Sequence, residues 1–140
     1  MRTSIVLFAL YAAPLGANEC LAPKPIPVAS VCGRVGDPLG NVIAGVELQL
    51  LNSQKLAVAD VRTDSKGGFM FSVLPAGEYQ ITASPKGWAP LYWPLRVTKS
   101  KPIKACKQPL YVTLGVNTCG TSVGRKGYHG KWYERGEPQN

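Results

Sequence analysis

The strongest constraint on the fold of this chain is a stretch in its middle, residues 63–79, which reads TDSKGGFMFSVLPAGEY. Asp64 and the two glycines that follow it are typical of a tight turn. Phe69, Phe71 and Val73 then occupy alternate positions and face one side, because side chains along a strand alternate with a period of two. A proline and a glycine reverse the chain again. The stretch therefore predicts the middle of an antiparallel meander.

Short alternating segments separated by turn residues recur along the rest of the chain. Seven strands are predicted, at residues 31–35, 43–51, 56–63, 68–73, 78–84, 95–98 and 110–114. Residues 85–93 are predicted to be a long loop or a sheet edge, because the prolines in and beside this segment cannot donate to a central ladder. Turn signals every ~8–12 residues and the absence of strand–helix–strand units predict an all-β fold, a seven-stranded, antiparallel-rich β-sandwich.

The first residues have the features of a secretory signal peptide. Arg2 precedes an apolar run at residues 5–13, and small residues follow as far as Ala17. A membrane anchor is the alternative, but the run is much shorter than the ~20 apolar residues that a spanning helix needs. We therefore expect residues 1–17 to be cleaved after Ala17, with no membrane span in the mature chain.

Composition divides the remaining chain into three parts around a single domain. Residues 18–30 carry prolines at alternate positions and are predicted to be an extended, proline-rich lead-in. Residues 31–120 are predicted to hold the sandwich. Residues 121–140 are rich in glycine and charge without apolar periodicity, which predicts a flexible basic tail.

Four cysteines lie in the predicted mature chain: Cys20, Cys32, Cys106 and Cys119. An exported chain passes through an oxidising compartment where an even number of thiols normally pairs, so two disulfides are expected, in one of three connectivities. Zinc is the alternative, but no two cysteines have CxxC spacing and the single histidine, His129, lies in the predicted tail. We expect disulfides and no metal.

Composition and charge argue against nucleic-acid binding and against catalysis. The net charge of +8 is spread over predicted turns and edges, whereas nucleic-acid recognition requires cations clustered on one face. Asp37, Asp60 and Asp64 fit turns or strand surfaces, and His129 is too remote to act as the base for a nucleophile. A calcium site at Asp64 is the weaker interpretation, because one carboxylate with carbonyl oxygens makes a poor site. Neither an enzyme nor a cofactor is expected.

The clearest candidate for ligand binding is the aromatic segment of residues 85–93, which contains Trp88, Tyr92 and Trp93. Aromatic rings held by prolines present a stiff surface for sugar rings or for a protein partner, and Lys86 beside them suits an acidic polymer. The alternative is that Trp88 closes one end of the sandwich and Trp93 packs beneath an edge, because large aromatic side chains are mostly buried.

Six short motifs occur in one order: a G-x-V strand, a D-x-x-G turn, an I-x-G-V strand, a T-D-x-x-G-x-F hairpin, an L-P-x-G-x-Y turn and a glycine–aromatic loop. They lie in CGRVGDPLGNVIAGVELQL, TDSKGGFMFSVLPAGEYQITASPKGW and LYVTL, which span residues 31–115. The ordered set resembles the carboxypeptidase regulatory-like domain, a transthyretin-like or prealbumin-like sandwich of immunoglobulin-like type, similar to collagen-adhesin B-type repeats.

The resemblance implies an exported, non-catalytic accessory module that is secreted, periplasmic or attached to the cell envelope. Its role would be structural or protein-interacting, with an envelope or extracellular protein as partner. The alternative is a carbohydrate-binding module that recognises a polysaccharide through Trp88, Tyr92 and Trp93. Because the first and last strands of the family lie side by side and parallel, the resemblance favours the pairs Cys32–Cys106 and Cys20–Cys119.

Overall fold

Alternate apolar residues form the inner faces of two packed sheets in the computed structural model of the chain, which describes residues 22–98, 105–117 and 119–125. These residues form nine strands and no helix, which confirms the all-β sandwich although seven strands were predicted. The strands are β1 (Ile26–Val28), β2 (Cys32–Gly36), β3 (Glu47–Leu51), β4 (Ala57–Arg62), β5 (Gly68–Met70), β6 (Gly77–Ala83), β7 (Leu91–Val97), β8 (Leu110–Thr113) and β9 (Ser122–Gly124).

The strands are divided between a five-stranded sheet A and a four-stranded sheet B. Sheet A has the order β1-β7-β6-β3-β4, and sheet B has the order β5-β2-β8-β9. Most neighbours are antiparallel, but β1 pairs with β7 and β2 pairs with β8 in parallel. The first and last strands that the sequence predicted, which are β2 and β8, therefore lie side by side and parallel as the resemblance implied. Within the described ranges there is no helix with the length and apolar character to span a membrane.

The core lies between the two sheets. Leu48 of β3, Ile81 of β6 and Val112 of β8 have no exposed surface, and burial of an aliphatic side chain of this size contributes about 1.5–3 kcal/mol. Phe69 and Phe71 pack edge to face with ring centroids 6.2 Å apart. Phe69 and Phe71 of the central stretch therefore belong to the core, as the sequence predicted. The prediction is wrong for Val73, which is 45% exposed, because β5 ends at Met70 and the alternation does not continue to that position.

Asp64 shapes the turn that precedes β5. Its Oδ1 atom accepts hydrogen bonds from the backbone N–H groups of Lys66 at 2.9 Å and Gly68 at 2.8 Å. Gly67 adopts a φ of 72°, in the left-handed region that favours glycine. The turn is therefore built by the residues that predicted it, while the strand that follows ends at Met70, earlier than the predicted end at residue 73.

The prediction that residues 85–93 form a loop or an edge is wrong for their last three positions, which belong to β7. This strand lies between β1 and β6 and passes through Pro94. The proline is accommodated because β1 pairs only with residues 95–97. Pro94 lies just beyond that ladder, so its missing N–H group removes no hydrogen bond to β1.

Two short strands fall outside the predicted sandwich boundaries of 31–120. β1 lies in the predicted lead-in, and β9 begins the segment predicted to be a flexible tail and pairs with β8. Pro27 is tolerated because β1 is an edge strand. Segments of three residues are too short to show a periodic pattern, which is why the sequence did not reveal them. The predicted signal peptide at residues 1–17 and the tail after residue 125 lie outside the described residues.

A disulfide ties the start of β2 to the segment before β8. Cys32 and Cys106 are bonded, with Cα atoms 5.9 Å apart and a sequence separation of 74 residues, which confirms this predicted pair. Closing a loop of this kind contributes about 2–4 kcal/mol to stability. Cys119 is also disulfide-bonded, and its predicted partner, Cys20, lies outside the described residues.

Gly33 of β2 lies where the parallel strands β2 and β8 approach each other closely. A Cβ atom at Gly33 would lie 1.8 Å from the carbonyl oxygen of Leu110 in β8. We expect Gly33→Ala to lower the free energy of unfolding by about 3 kcal/mol or more, because the clash is with backbone that cannot move without disrupting the β2–β8 pair. Urea denaturation measures the loss.

Gly45→Ala is the matched control for this substitution. Gly45 has a φ of 72° and no atom within 4 Å of an added Cβ, so only left-handed strain of about 1–2 kcal/mol is expected. Equal losses in the two variants would contradict the inferred contact between β2 and β8.

Candidate functional site

Strand β7 places neighbouring aromatic side chains on opposite faces of sheet A. Leu91 and Leu95 are buried in the core, and Trp93, which shares their face, packs against it. Tyr92 projects from the outer face and is 62% exposed. The two residues therefore do not form one continuous aromatic surface.

Trp88 lies in the turn before β7 and is partly buried against the core. Its backbone N–H donates to the Pro85 carbonyl at 3.2 Å, which closes the turn. The next residue, Ala89, donates from its N–H to the Gly115 carbonyl at 2.7 Å. Trp88 is thus held where β7 begins and β8 ends, and Lys86 is exposed in the same turn.

The indole of Trp93 has an unusual environment. Its Nε1 atom is buried and has no hydrogen-bond partner among the described residues. A buried N–H group without a partner costs about 1–3 kcal/mol. The packing of the Trp93 ring against the core therefore has to offset the cost of burying this N–H group.

Tyr92 belongs to a row of side chains that crosses the outer face of sheet A. The strand register places Tyr92 opposite Thr82 of β6, Thr82 opposite Gln49 of β3, and Gln49 opposite Asp60 of β4. Directly opposite residues of neighbouring strands share a face, so the row combines one aromatic ring with hydroxyl, amide and carboxylate groups.

This face contains a shallow depression of about 340 Å³, which we call the Tyr92 depression. Its lining consists of Glu47, Gln49, Leu51, Thr82, Ala83, Ser84, Pro85 and Tyr92. Gln49 and Ser84 make no side-chain hydrogen bonds within the described part of the chain. Their polar atoms are consequently available to a ligand that lies beside the Tyr92 ring.

The charges around the depression are partly neutralised. Arg62 donates to Glu47 Oε2 at 3.0 Å and to the Gly45 carbonyl at 3.3 Å. The ion pair is exposed and contributes at most about 1 kcal/mol. The carboxylate of Asp60 has no ion pair or hydrogen bond among the described residues. These three side chains together carry a net charge of −1.

A second depression lies on sheet B, and its charged group is less available to a ligand. It is lined by Gln108, Pro109, Tyr111 and Arg125. The guanidinium of Arg125 is already engaged, because it donates to the carbonyls of Gln108 and Pro27 and so links the end of β9 to β1. In residues 22–98, 105–117 and 119–125, no group of three or more His, Cys, Asp or Glu side chains is placed to hold a metal ion.

The sequence pointed to Tyr92 but not to its neighbours in the depression. Gln49, Thr82 and Ser84 lie on β3, on β6 and just after β6, and they meet Tyr92 only through the pairing of β3, β6 and β7. Their outward orientation follows from strand alternation. The register between strands distant in the chain is not encoded by that alternation, and for this reason the group was missed.

Comparison with known proteins gives one family. The model described as the carboxypeptidase regulatory-like domain matches residues 30–105, more than half of the chain. No curated protein matches. Among solved structures, the chain is similar to the Bacillus anthracis TIE protein, with a TM-score of 0.45 and 22% sequence identity over 61% of this chain and 17% of that chain.

Adjacent substitutions on β7 distinguish its two faces. We expect Trp93→Ala to lower the free energy of unfolding by about 2–4 kcal/mol, because it leaves a cavity at the core. Tyr92→Ala removes an exposed ring and one cross-strand contact, so its cost should stay below about 1 kcal/mol. Urea denaturation followed by circular dichroism measures both changes.

Trp93→Phe is the control, because it removes the unpaired N–H group while keeping most of the apolar volume. Its stability should lie much closer to that of the unmodified chain than to that of Trp93→Ala. A loss for Tyr92→Ala as large as that for Trp93→Ala would contradict the assignment of the two faces.

Proposed function

The chain belongs to the carboxypeptidase regulatory-like domain family, and on that basis we propose that it is an exported module with a structural or protein-interaction role at the cell envelope or outside the cell. Domains of this family are a non-catalytic type of β-sandwich module. The proposed partner is an envelope or extracellular protein, which the module contacts through its surface without chemical change.

The observation that carries the proposal of export is the disulfide between Cys32 and Cys106. Cys32 is completely buried, so the bond is an internal structural link. Disulfides of this kind form and persist in oxidising compartments and are rare in the cytosol. The signal-like residues 1–17 support the same proposal from the sequence.

Carbohydrate binding is the second candidate function, and the exposure of Tyr92 favours it. Of the three aromatic residues predicted to form a sugar platform, Tyr92 presents an exposed ring, whereas Trp88 and Trp93 are packed against the core. A sugar site would therefore be centred on Tyr92.

Export is tested by expressing the chain with residues 1–17 in a host that has a general secretory pathway. Mass spectrometry should find the exported protein beginning at Asn18, because cleavage is expected after Ala17, with all four cysteines oxidised. Leu7→Arg, which interrupts the apolar run, is the control and should block export. Exported protein that still begins at Met1, or retention of the unmodified chain in the cytosol, would contradict the proposal.

The interaction role is tested with immobilised residues 18–140 exposed to a native envelope extract, and with the same protein applied to a glycan array. If the module contacts an envelope or extracellular protein through its surface, specific proteins should be retained from the extract and the glycan array should give no signal. Protein that has been reduced and alkylated is the control, and it should retain nothing once the sandwich has lost its disulfides. A glycan signal without retained proteins would reject the main proposal in favour of the second candidate.

A further inference from the structure

The Tyr92 depression combines the two kinds of group that recognise a sugar. A saccharide has an apolar face of C–H groups and a rim of hydroxyl groups. The exposed ring of Tyr92 offers a flat apolar surface with a polar tip. Gln49 lies on the same face two strands away. Thr82 lies between them, but it is buried and its hydroxyl donates to the Gln49 carbonyl at 3.5 Å.

The polar groups of the depression can donate hydrogen bonds to sugar hydroxyl groups and accept them. The amide of Gln49 both donates and accepts hydrogen bonds, and the hydroxyl of Ser84 does the same. Neither side chain is occupied by a partner within the described ranges. Since adjacent strands are ~4.8 Å apart, Gln49 lies about 10 Å from Tyr92 across the sheet, a span that suits a ligand longer than one sugar ring.

The local charge selects among saccharides. Among the described residues that line the depression there is one charged side chain, Glu47, which pairs with Arg62, and no Lys or Arg. An acidic polymer would therefore meet no cation in the lining, although the whole chain has a net charge of +8. Lys86 follows Pro85 of the lining but does not itself line the depression. We propose that the Tyr92 depression binds an uncharged saccharide chain through Tyr92, Gln49 and Ser84.

The shape of the site agrees with this ligand. Its volume of about 340 Å³ lies at the lower end of the ~300–1,000 Å³ typical of small-molecule pockets. The depression lies on the outer face of sheet A, formed by residues of β3, β6 and β7. The inference rests on the second candidate function, carbohydrate binding, and assigns it a site and a ligand class.

The test is a titration of ¹⁵N-labelled residues 18–140, followed by NMR. The neutral probes are hexamers of glucose, mannose and N-acetylglucosamine, and the acidic probes are oligogalacturonate and hyaluronan fragments. We expect a neutral probe to shift the amide signals of Gln49, Thr82 and Tyr92. Tyr92→Ala and Gln49→Ala should each weaken its binding by about tenfold, which corresponds to about 1.4 kcal/mol, because each removes a ring or amide contact with the sugar.

The control variant is Leu39→Ala, at an exposed position outside the depression. It should bind the neutral probe as the unmodified chain does, because Leu39 lies in the turn after β2. Circular dichroism of every variant checks that it remains folded. Neutral binding that survives both Tyr92→Ala and Gln49→Ala would overturn the assigned site.

The remaining outcomes separate this inference from the functions on which it builds. Binding of acidic probes alone, lost in Lys86→Ala, would overturn the inference while leaving carbohydrate binding in place. An absence of binding to every saccharide would overturn the inference together with the second candidate function. The main proposal of a protein partner would be unaffected by that result, because the retained proteins test it independently.

Discussion

The parallel pairing of β2 with β8 is the interaction on which the rest of the sandwich depends. These two strands form the centre of sheet B, although more than 70 residues separate them in the chain. Gly33 permits their close approach, and the disulfide between Cys32 and Cys106 holds the same end of the pair. Four of the five strands of sheet A, β3, β4, β6 and β7, come from the chain between them, so the β2–β8 pair fixes the two ends of the segment that forms most of the opposite layer.

The packing of the two sheets determines which side chains of sheet A face outward. Its inner residues pack against sheet B, and the opposite face of β3, β6 and β7 therefore carries polar side chains and Tyr92. The electrostatics of that face differ from those of the whole molecule. The chain is strongly basic, yet the described residues that line the Tyr92 depression include Glu47 and no Lys or Arg. A binding surface has to be judged by its own charges, because solvent screens charges more than ~10 Å away.

The candidate site shows where inference from sequence reaches its limit. Proximity in the chain grouped Trp88, Tyr92 and Trp93, but Trp93 lies on the opposite face of β7 from Tyr92 and packs against the core. The partners that Tyr92 acquires instead, Gln49 and Thr82, come from other strands. A pattern of residues within one strand assigns faces correctly. It does not identify which strand will lie alongside, because that depends on pairing across the sheet.

The sequence by itself determined the all-β class, the turn at Asp64 and the core positions of Phe69 and Phe71, because these depend on local backbone preferences and on a period of two along each strand. The ordered motifs also predicted the parallel neighbours and the pair Cys32–Cys106. Only the tertiary structure decided that Pro94 lies within a strand and that β1 and β9 complete the sheets. It also decided which polar side chains surround Tyr92. These features depend on where each strand pairing ends and on the register between segments that are distant in the chain. Both are fixed only when the two sheets form and pack together.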